Sequence, residues 1–245
     1  MLNDLIIYTP MYVTFFWTIL LLSTFRQNNK AKYFLGIFMF AAFLIYFSHA
    51  TYFLHNTEMY MYMDPVYTLA SLSVYPLYYW YIKLLTIETA FNWNNLVMFL
   101  PAVIVAILST IIYLLMSEDI TRNYVNAFLF RQEELHSSNG LIQIQKLVYY
   151  SGRIIFAIQV VFFLIYGTRL VVHYNEHVAN FYSNLESKTL VWAKLLLYSF
   201  VFTSVLSFLF NILGRNIFDG SDLLLLIPSV IFSLLLFTIG YQGNM

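Results

Sequence analysis

The chain has 245 residues, of which 61% are hydrophobic and only 10% are charged, whereas a soluble domain carries about 25% charged residues. The formal net charge is zero and cysteine is absent, which excludes disulfides, thiolate metal sites, cysteine nucleophiles and a basic face for nucleic acid. This composition predicts an integral membrane protein.

Seven stretches of low charge follow one another along the chain. Each has close to the ~20 residues that a helix needs to cross the hydrocarbon core of a membrane. We therefore predict an all-α fold, in which residues 1–245 form a single membrane domain of seven transmembrane helices. The predicted spans are residues 5–25, 33–54, 65–86, 96–117, 147–172, 195–214 and 223–241.

The charges of the loops predict how the bundle sits in the membrane. Arg26, Lys30 and Lys32 crowd into the first short loop, and such a loop usually decides orientation under the positive-inside rule. With that loop in the cytoplasm, nine acidic residues, including Asp64 and Asp222, fall on the outer side, in the connections or ahead of the first span. The sequence therefore predicts an outer N-terminus and a cytoplasmic C-terminus.

The outer connection between the fourth and fifth spans is longer than a tight turn needs. Within it, Ile120, Tyr124 and Phe128 recur at every fourth position. This spacing predicts an amphipathic helix that lies on the outer membrane face or across the mouth of the bundle.

Sequence motifs of catalysis and cofactor binding are missing, and this narrows the function. There is no HExxH, GxSxG or Gly-rich phosphate loop, and His49 and His55 are six residues apart, a poor spacing for a metal pair. The last span has no lysine for a retinal Schiff base, and none of the predicted spans contains an acidic residue of the kind that drives ion-coupled transport. We therefore expect no catalytic residues, no metal and no cofactor.

Isolated polar and aromatic side chains remain, and they fall in the outer half of the predicted bundle. An ordinary structural role is the default for each: hydrogen bonding between helices or close packing for the polar residues, aromatic core for the tyrosines and snorkelling for the arginine. The alternative role is ligand binding or, for Arg153, pairing with an outer carboxylate, for which Asp222 is the candidate. The candidate ligand-binding residues are His49, Tyr75, Tyr79, Arg153, Gln159 and Asn211.

Several strings in the chain match a known pattern. They are YPLYYWYIKLLT at 75–86, FLPA at 99–102, Arg153 followed by IQ at 158–159, YSNLESKTLVW at 182–192, and Gly240, Tyr241 and Gly243 near the end. Over most of its length the chain resembles the N-terminal membrane domain of AraC-type transcriptional regulators from Bacteroidetes. Two positions depart from that family, because Tyr75 replaces its usual glycine and Met98 replaces a histidine often found there.

The resemblance implies a multi-pass sensor of the bacterial inner membrane, whose partners are membrane lipid and a small-molecule or lipid ligand on the outer side. The inner connection would couple the bundle to a C-terminal cytoplasmic regulator, with Tyr182, Glu186 and Trp192 as coupling residues. The family's DNA-binding region is expected to be absent from this chain, so the chain itself would not contact nucleic acid. Whether the chain forms a homodimer is left open.

A transporter is the second function that the sequence leaves open. A small membrane transporter or permease would also be a bundle of apolar helices, but the missing buried charge and the missing internal repeat count against it. An intramembrane enzyme ranks third, because no set of catalytic residues supports it.

Overall fold

A computed structural model of the chain describes residues 2–23, 30–86, 93–132, 139–181, 191–214, 218 and 222–244. These described residues are nearly all helical and contain no strand. The predicted all-α class is therefore confirmed.

Eight α-helices run through the described part of the chain. A 3₁₀ segment, Trp93–Phe99, leads into the fourth helix, and a π-helical segment, Tyr124–Leu129, continues the fifth. The helices are α1 (Leu2–Ser23), α2 (Lys30–Phe53), α3 (Thr57–Thr86), α4 (Leu100–Leu115), α5 (Glu118–Asn123), α6 (Gly140–Phe181), α7 (Val191–Leu213) and α8 (Asp222–Asn244).

Five of the described helices are long and apolar enough to cross a membrane by length and composition. They are α1, α2, α4 with the end of its 3₁₀ segment, α6 and α8, while α7 contains a shorter apolar stretch, Val201–Phe210. Many large apolar side chains on these helices are exposed, among them Ile104 and Ile107 on α4 and Ile154 and Ile158 on α6. Such apolar outer faces suit lipid rather than water.

Helix α3 occupies the middle of the bundle and contacts α2, α4 and α6. On the other side of α2, helix α1 packs against both α2 and α8, and α7 contacts α6 and α8. The main core cluster joins these helices through large side chains such as Trp17, Met39, Tyr78, Phe163 and Ile239. An enclosed helix such as α3 can be rich in tyrosine, because its side chains meet protein rather than lipid.

Two helices extend seven or more residues beyond their predicted spans. Helix α3 begins at Thr57 rather than 65, and α6 covers Gly140–Phe181 rather than 147–172. The sequence places the start of each of these two spans directly after a charged residue, Asp64 or Lys146, but a helix continues wherever its backbone bonds and side-chain partners are satisfied. Asp64 was therefore wrongly assigned to an outer connection, since it lies two turns inside α3 and is 3% exposed.

The amphipathic helix predicted after the fourth span corresponds to α5 and the π-helical segment. Tyr124 is fully buried, with Ile120 and Phe128 packed in the same cluster. The Tyr52 hydroxyl of α2 donates a hydrogen bond to the Leu129 carbonyl at 3.0 Å. This region therefore lies across the end of the bundle where α2 meets α3. A position across the mouth of the bundle is one of the two placements that the sequence predicts.

Glycines near the end of α8 allow close helix packing. A Cβ atom added at Gly240 would collide with the Trp17 indole of α1, and one added at Gly243 would collide with Leu35 of α2. Small residues at such contacts let helix backbones approach closely, which is the main source of packing between membrane helices. The Gly240 and Gly243 pair noted in the sequence therefore has a structural role.

We expect Gly240→Ala to destabilise the protein, because the added methyl group overlaps a rigid indole that is 4% exposed. Overpacking of this kind costs roughly 1–3 kcal/mol, which would lower the melting temperature of the purified protein in detergent. Gly140→Ala is the matched control, because a Cβ atom there meets nothing within 4 Å. Equal melting temperatures for the two variants would contradict the close approach of α8 to α1.

Candidate functional site

A partly open cavity of about 260 Å³ lies in the half of the bundle nearest the start of α1. Its wall is mostly apolar and includes residues of α1, α2, α3, α4, α6, α7 and α8. Phe38 and Ala42 of α2, Tyr78 of α3, and Leu236 and Ile239 of α8 form its deep end near mid-bundle. Polar side chains are concentrated toward its other end, which we call the polar end.

Asp64 is a buried carboxylate at the polar end. It lines the cavity and is 3% exposed. The Tyr60 hydroxyl, one turn earlier on α3, donates to Asp64 Oδ1 at 3.2 Å, and the Tyr113 hydroxyl of α4 donates to Asp64 Oδ2 at 2.9 Å. A buried charge is costly unless such bonds compensate it, so the two phenols stabilise the carboxylate and join α3 to α4.

Gln145 of α6 is the second buried polar group of the polar end. It is 1% exposed and lines the cavity, and its Nε2 donates a hydrogen bond to Ser109 Oγ of α4 at 2.8 Å. Its Oε1 has no hydrogen-bond partner among the described residues. A buried amide oxygen left without a donor costs about 1–3 kcal/mol. Ser109 lies one turn before Tyr113, so the same face of α4 holds both Gln145 and Asp64.

Arg153 lies farther along the same face of α6. Its Nη2 donates to the Ile212 carbonyl in the last turn of α7 at 3.3 Å, and its guanidinium lies 5.8 Å from the Tyr149 ring centre. Gly214, with a φ of 83°, ends α7. A cation at a helix C-terminus is favourable because the free carbonyls carry partial negative charge. The Asp222 side chain, the partner suggested by the sequence, lies outside the described residues.

The structure brings together three of the predicted ligand-binding residues. His49, Tyr75 and Arg153 all line the cavity. Tyr79 is not part of the wall and packs on Phe163, with ring centres 5.5 Å apart.

Gln159 also lies away from the cavity wall. It is 7% exposed, and its Oε1 has no hydrogen-bond partner in the described part of the chain. Tyr182 and Glu186 fall outside the described residues, as do the side chains of Asn211 and Trp192. Their predicted roles in ligand binding and coupling stay predictions.

The sequence did not single out Asp64, Ser109 or Gln145. The third predicted span begins at 65, so Asp64 falls in the connection before it. The fifth begins at 147, so Gln145 also falls in a connection. One signal was present, because Gln145, Tyr149 and Arg153 are spaced every fourth residue and so share a helix face. Within the described part of the chain, no three His, Cys, Asp or Glu residues are close enough to hold a metal ion.

We expect Tyr113→Phe to lower the stability of the purified protein, because Asp64 loses one phenol donor while remaining buried. Hydrogen bonds to charged groups contribute about 1.5–3 kcal/mol. Tyr62→Phe is the matched control, since Tyr62 is 74% exposed on α3. Thermal unfolding in detergent would show a lower melting temperature for Tyr113→Phe alone. An unchanged value would contradict the buried hydrogen bond to Asp64.

Comparison of the chain with protein-family models, curated proteins and solved structures finds no match. The functional conclusion therefore rests on the cavity and on the residues that line it.

Proposed function

We propose that this chain is the sensor domain of a membrane signalling protein and binds a small amphipathic ligand in its cavity. The observation that carries this proposal is the contrast within the cavity wall. Asp64 and Gln145 are buried at the polar end, whereas the deep end is formed by residues such as Phe38, Leu236 and Ile239. A mostly apolar pocket with a few converging polar groups is the usual form of a small-molecule site.

In this proposal seven helices cross the membrane, with the N-terminus outside and the C-terminus in the cytoplasm. Lys32 Nζ donates a hydrogen bond to the Asn244 carbonyl, so the start of α2 and the end of α8 lie at the same end of the bundle. The loop that carries Arg26, Lys30 and Lys32 assigns that end to the cytoplasm under the positive-inside rule. The cavity then lies in the outer half.

Signalling requires that the ligand prefer one arrangement of the helices over another. Helices α6 and α8 both line the cavity and continue toward the cytoplasmic end, where α8 ends at Asn244. A ligand that binds one arrangement more tightly than the other by about 5.5 kcal/mol shifts the ratio of the two arrangements from 1:99 to 99:1. The resemblance to AraC-type regulators suggests a cytoplasmic transcription factor as the receiver of this movement.

A small transporter is the second candidate, and Asp64 is the observation that favours it. In the sequence, the absence of acidic residues from the predicted spans counts against transport, but Asp64 is buried inside α3 and lines the cavity. Buried carboxylates of this kind occur in ion-coupled transporters. Uptake of the bound molecule into sealed vesicles containing the purified protein would favour transport over sensing.

The orientation can be tested with fused reporters. We expect a reporter placed after Met245 to be active only in the cytoplasm, and one inserted at Asn139 to be active only outside, because an odd number of crossings separates the two positions. At each site, the activities of an alkaline phosphatase fusion and of a green fluorescent protein fusion report on which side of the membrane the site lies. Activity of both positions on the same side would contradict the seven-span arrangement.

The cavity itself can be tested by blocking it. Ser71 of α3 lines the cavity, whereas Ser73 is not part of its wall. We expect Ser71→Leu, but not Ser73→Leu, to abolish the enrichment of a small molecule that co-purifies with the protein, because the larger side chain fills the pocket. Mass spectrometry of extracts from the three purified proteins measures this. The same bound molecules in wild type and Ser71→Leu would contradict ligand binding in the cavity.

A further inference from the structure

The polar end of the cavity presents hydrogen-bond acceptors. The Asp64 carboxylate and the Gln145 amide both line the wall and are 3% and 1% exposed. Gln145 Oε1 has no donor among the described residues. A ligand group that reaches both must therefore donate hydrogen bonds, and beside a carboxylate a positively charged donor is favoured over a neutral one.

Aromatic rings line the cavity beside this polar end. Tyr67 is one turn beyond Asp64 on α3, and its ring centre lies 5.4 Å from that of His49. Phe53 also packs on His49, with ring centres 6.0 Å apart, and all three side chains line the cavity. The faces of phenol and phenyl rings attract cations, which adds to the preference for a positive group.

Basic groups also face the cavity, but they lie away from Gln145. Arg153 is eight residues further along α6, a rise of about 12 Å, and its Nη2 is bonded to the end of α7. His49 is held among aromatic rings. The acceptors of the polar end are therefore separate from the guanidinium.

The rest of the cavity suits an apolar chain. Asp64 and Tyr78 of α3 both line it and are fourteen residues apart, so the residues that line the cavity span about 21 Å of the α3 backbone. Its deep end is formed by apolar residues such as Phe38, Leu236 and Ile239. This length exceeds that of an extended decyl chain.

We propose that the ligand of the cavity is an aliphatic amine whose ammonium group donates to Asp64 and to Gln145 Oε1, with its chain in the deep end. The inference rests on the proposed binding function and adds the chemical class of the ligand. No covalent bond forms or breaks, and the ammonium supplies three donors for the acceptors that α3 and α6 contribute to the same cavity wall.

Three probes with the same chain and different heads test this inference: decylamine, decanol and decanoate. Binding is measured at neutral pH by equilibrium dialysis against the protein in phosphatidylcholine nanodiscs, with binding to empty nanodiscs subtracted. We expect decylamine to bind at least about tenfold more tightly than decanol, because its bonds to Asp64 are charge-assisted. Decanoate should bind more weakly than either.

Point variants test whether decylamine binds at Asp64 and Gln145. Asp64→Asn should weaken decylamine binding by about tenfold or more, whereas its effect on decanol should stay within roughly threefold. Glu58→Gln is the matched control, because Glu58 lies on the same helix, is exposed and is not part of the cavity wall. Gln145→Met, which removes the amide, should also weaken decylamine binding. It provides a second test if Asp64→Asn does not fold.

The outcomes separate this inference from the proposed function. Tighter binding of decanol or decanoate than of decylamine would overturn the amine assignment and leave a cavity that binds ligand. If none of the three probes binds specifically, the inference is also overturned. The Ser71→Leu comparison tests ligand binding in the cavity independently of these probes. Equal losses in Asp64→Asn and Glu58→Gln would show that charge anywhere on α3, rather than the cavity, attracts the amine.

Discussion

Helix α3 runs through the interior of the bundle, and no residue in its stretch 70–86 is exposed. In a membrane, a helix in this position meets protein on every side, so its polar side chains can find partners that lipid would not offer. This explains why α3 holds many tyrosines and fewer aliphatic residues, while α4 has an exposed apolar stripe that includes Ile104, Ile107 and Ile111. The enclosure of α3 therefore divides the bundle into an inner helix that can carry chemistry and outer helices whose exposed faces are apolar.

Asp64 precedes this stretch on α3 and lies between the exposed residues Tyr62 and Leu69, but it is itself only 3% exposed. Its two phenol donors come from α3 itself and from α4, and the same face of α4 holds Gln145 of α6 through Ser109. These bonds tie three helices together beside the cavity, so occupation of the cavity would act on all three at once. A ligand that donates to Asp64 or Gln145 would thereby bias the packing of α6, which continues to the other end of the bundle. Ligand binding and signalling are joined in this proposal by one set of buried hydrogen bonds.

The sequence predicts the helical class well, because long stretches of low charge leave few other folds. It predicts the ends of the helices less well, since a charged residue such as Asp64 or Lys146 is taken as the limit of the span that follows it. That rule fails at Asp64, whose charge is compensated by tertiary contacts with Tyr113 that no local pattern reveals. His49, Tyr75 and Arg153 could be identified as cavity residues because each is a polar or aromatic group within an apolar run. The Ser109–Gln145 bond could not, because it depends on how α4 and α6 are aligned.

The enclosure of α3 can be measured directly, because the chain contains no cysteine and single cysteines can carry a spin label without other changes. Collision rates with oxygen, which concentrates in lipid, would be recorded for labels placed one at a time across residues 70–86 and at Ile104 and Ile107 of α4. Leu72 of α3 packs against Val105 in one cluster, so the two sets lie at similar depth. We expect every label on α3 to show less oxygen contact than the labels at Ile104 and Ile107. A stripe of high oxygen contact recurring about every 3.6 residues along α3 would contradict the enclosure of the helix that forms the cavity wall from Ser71 to Tyr78.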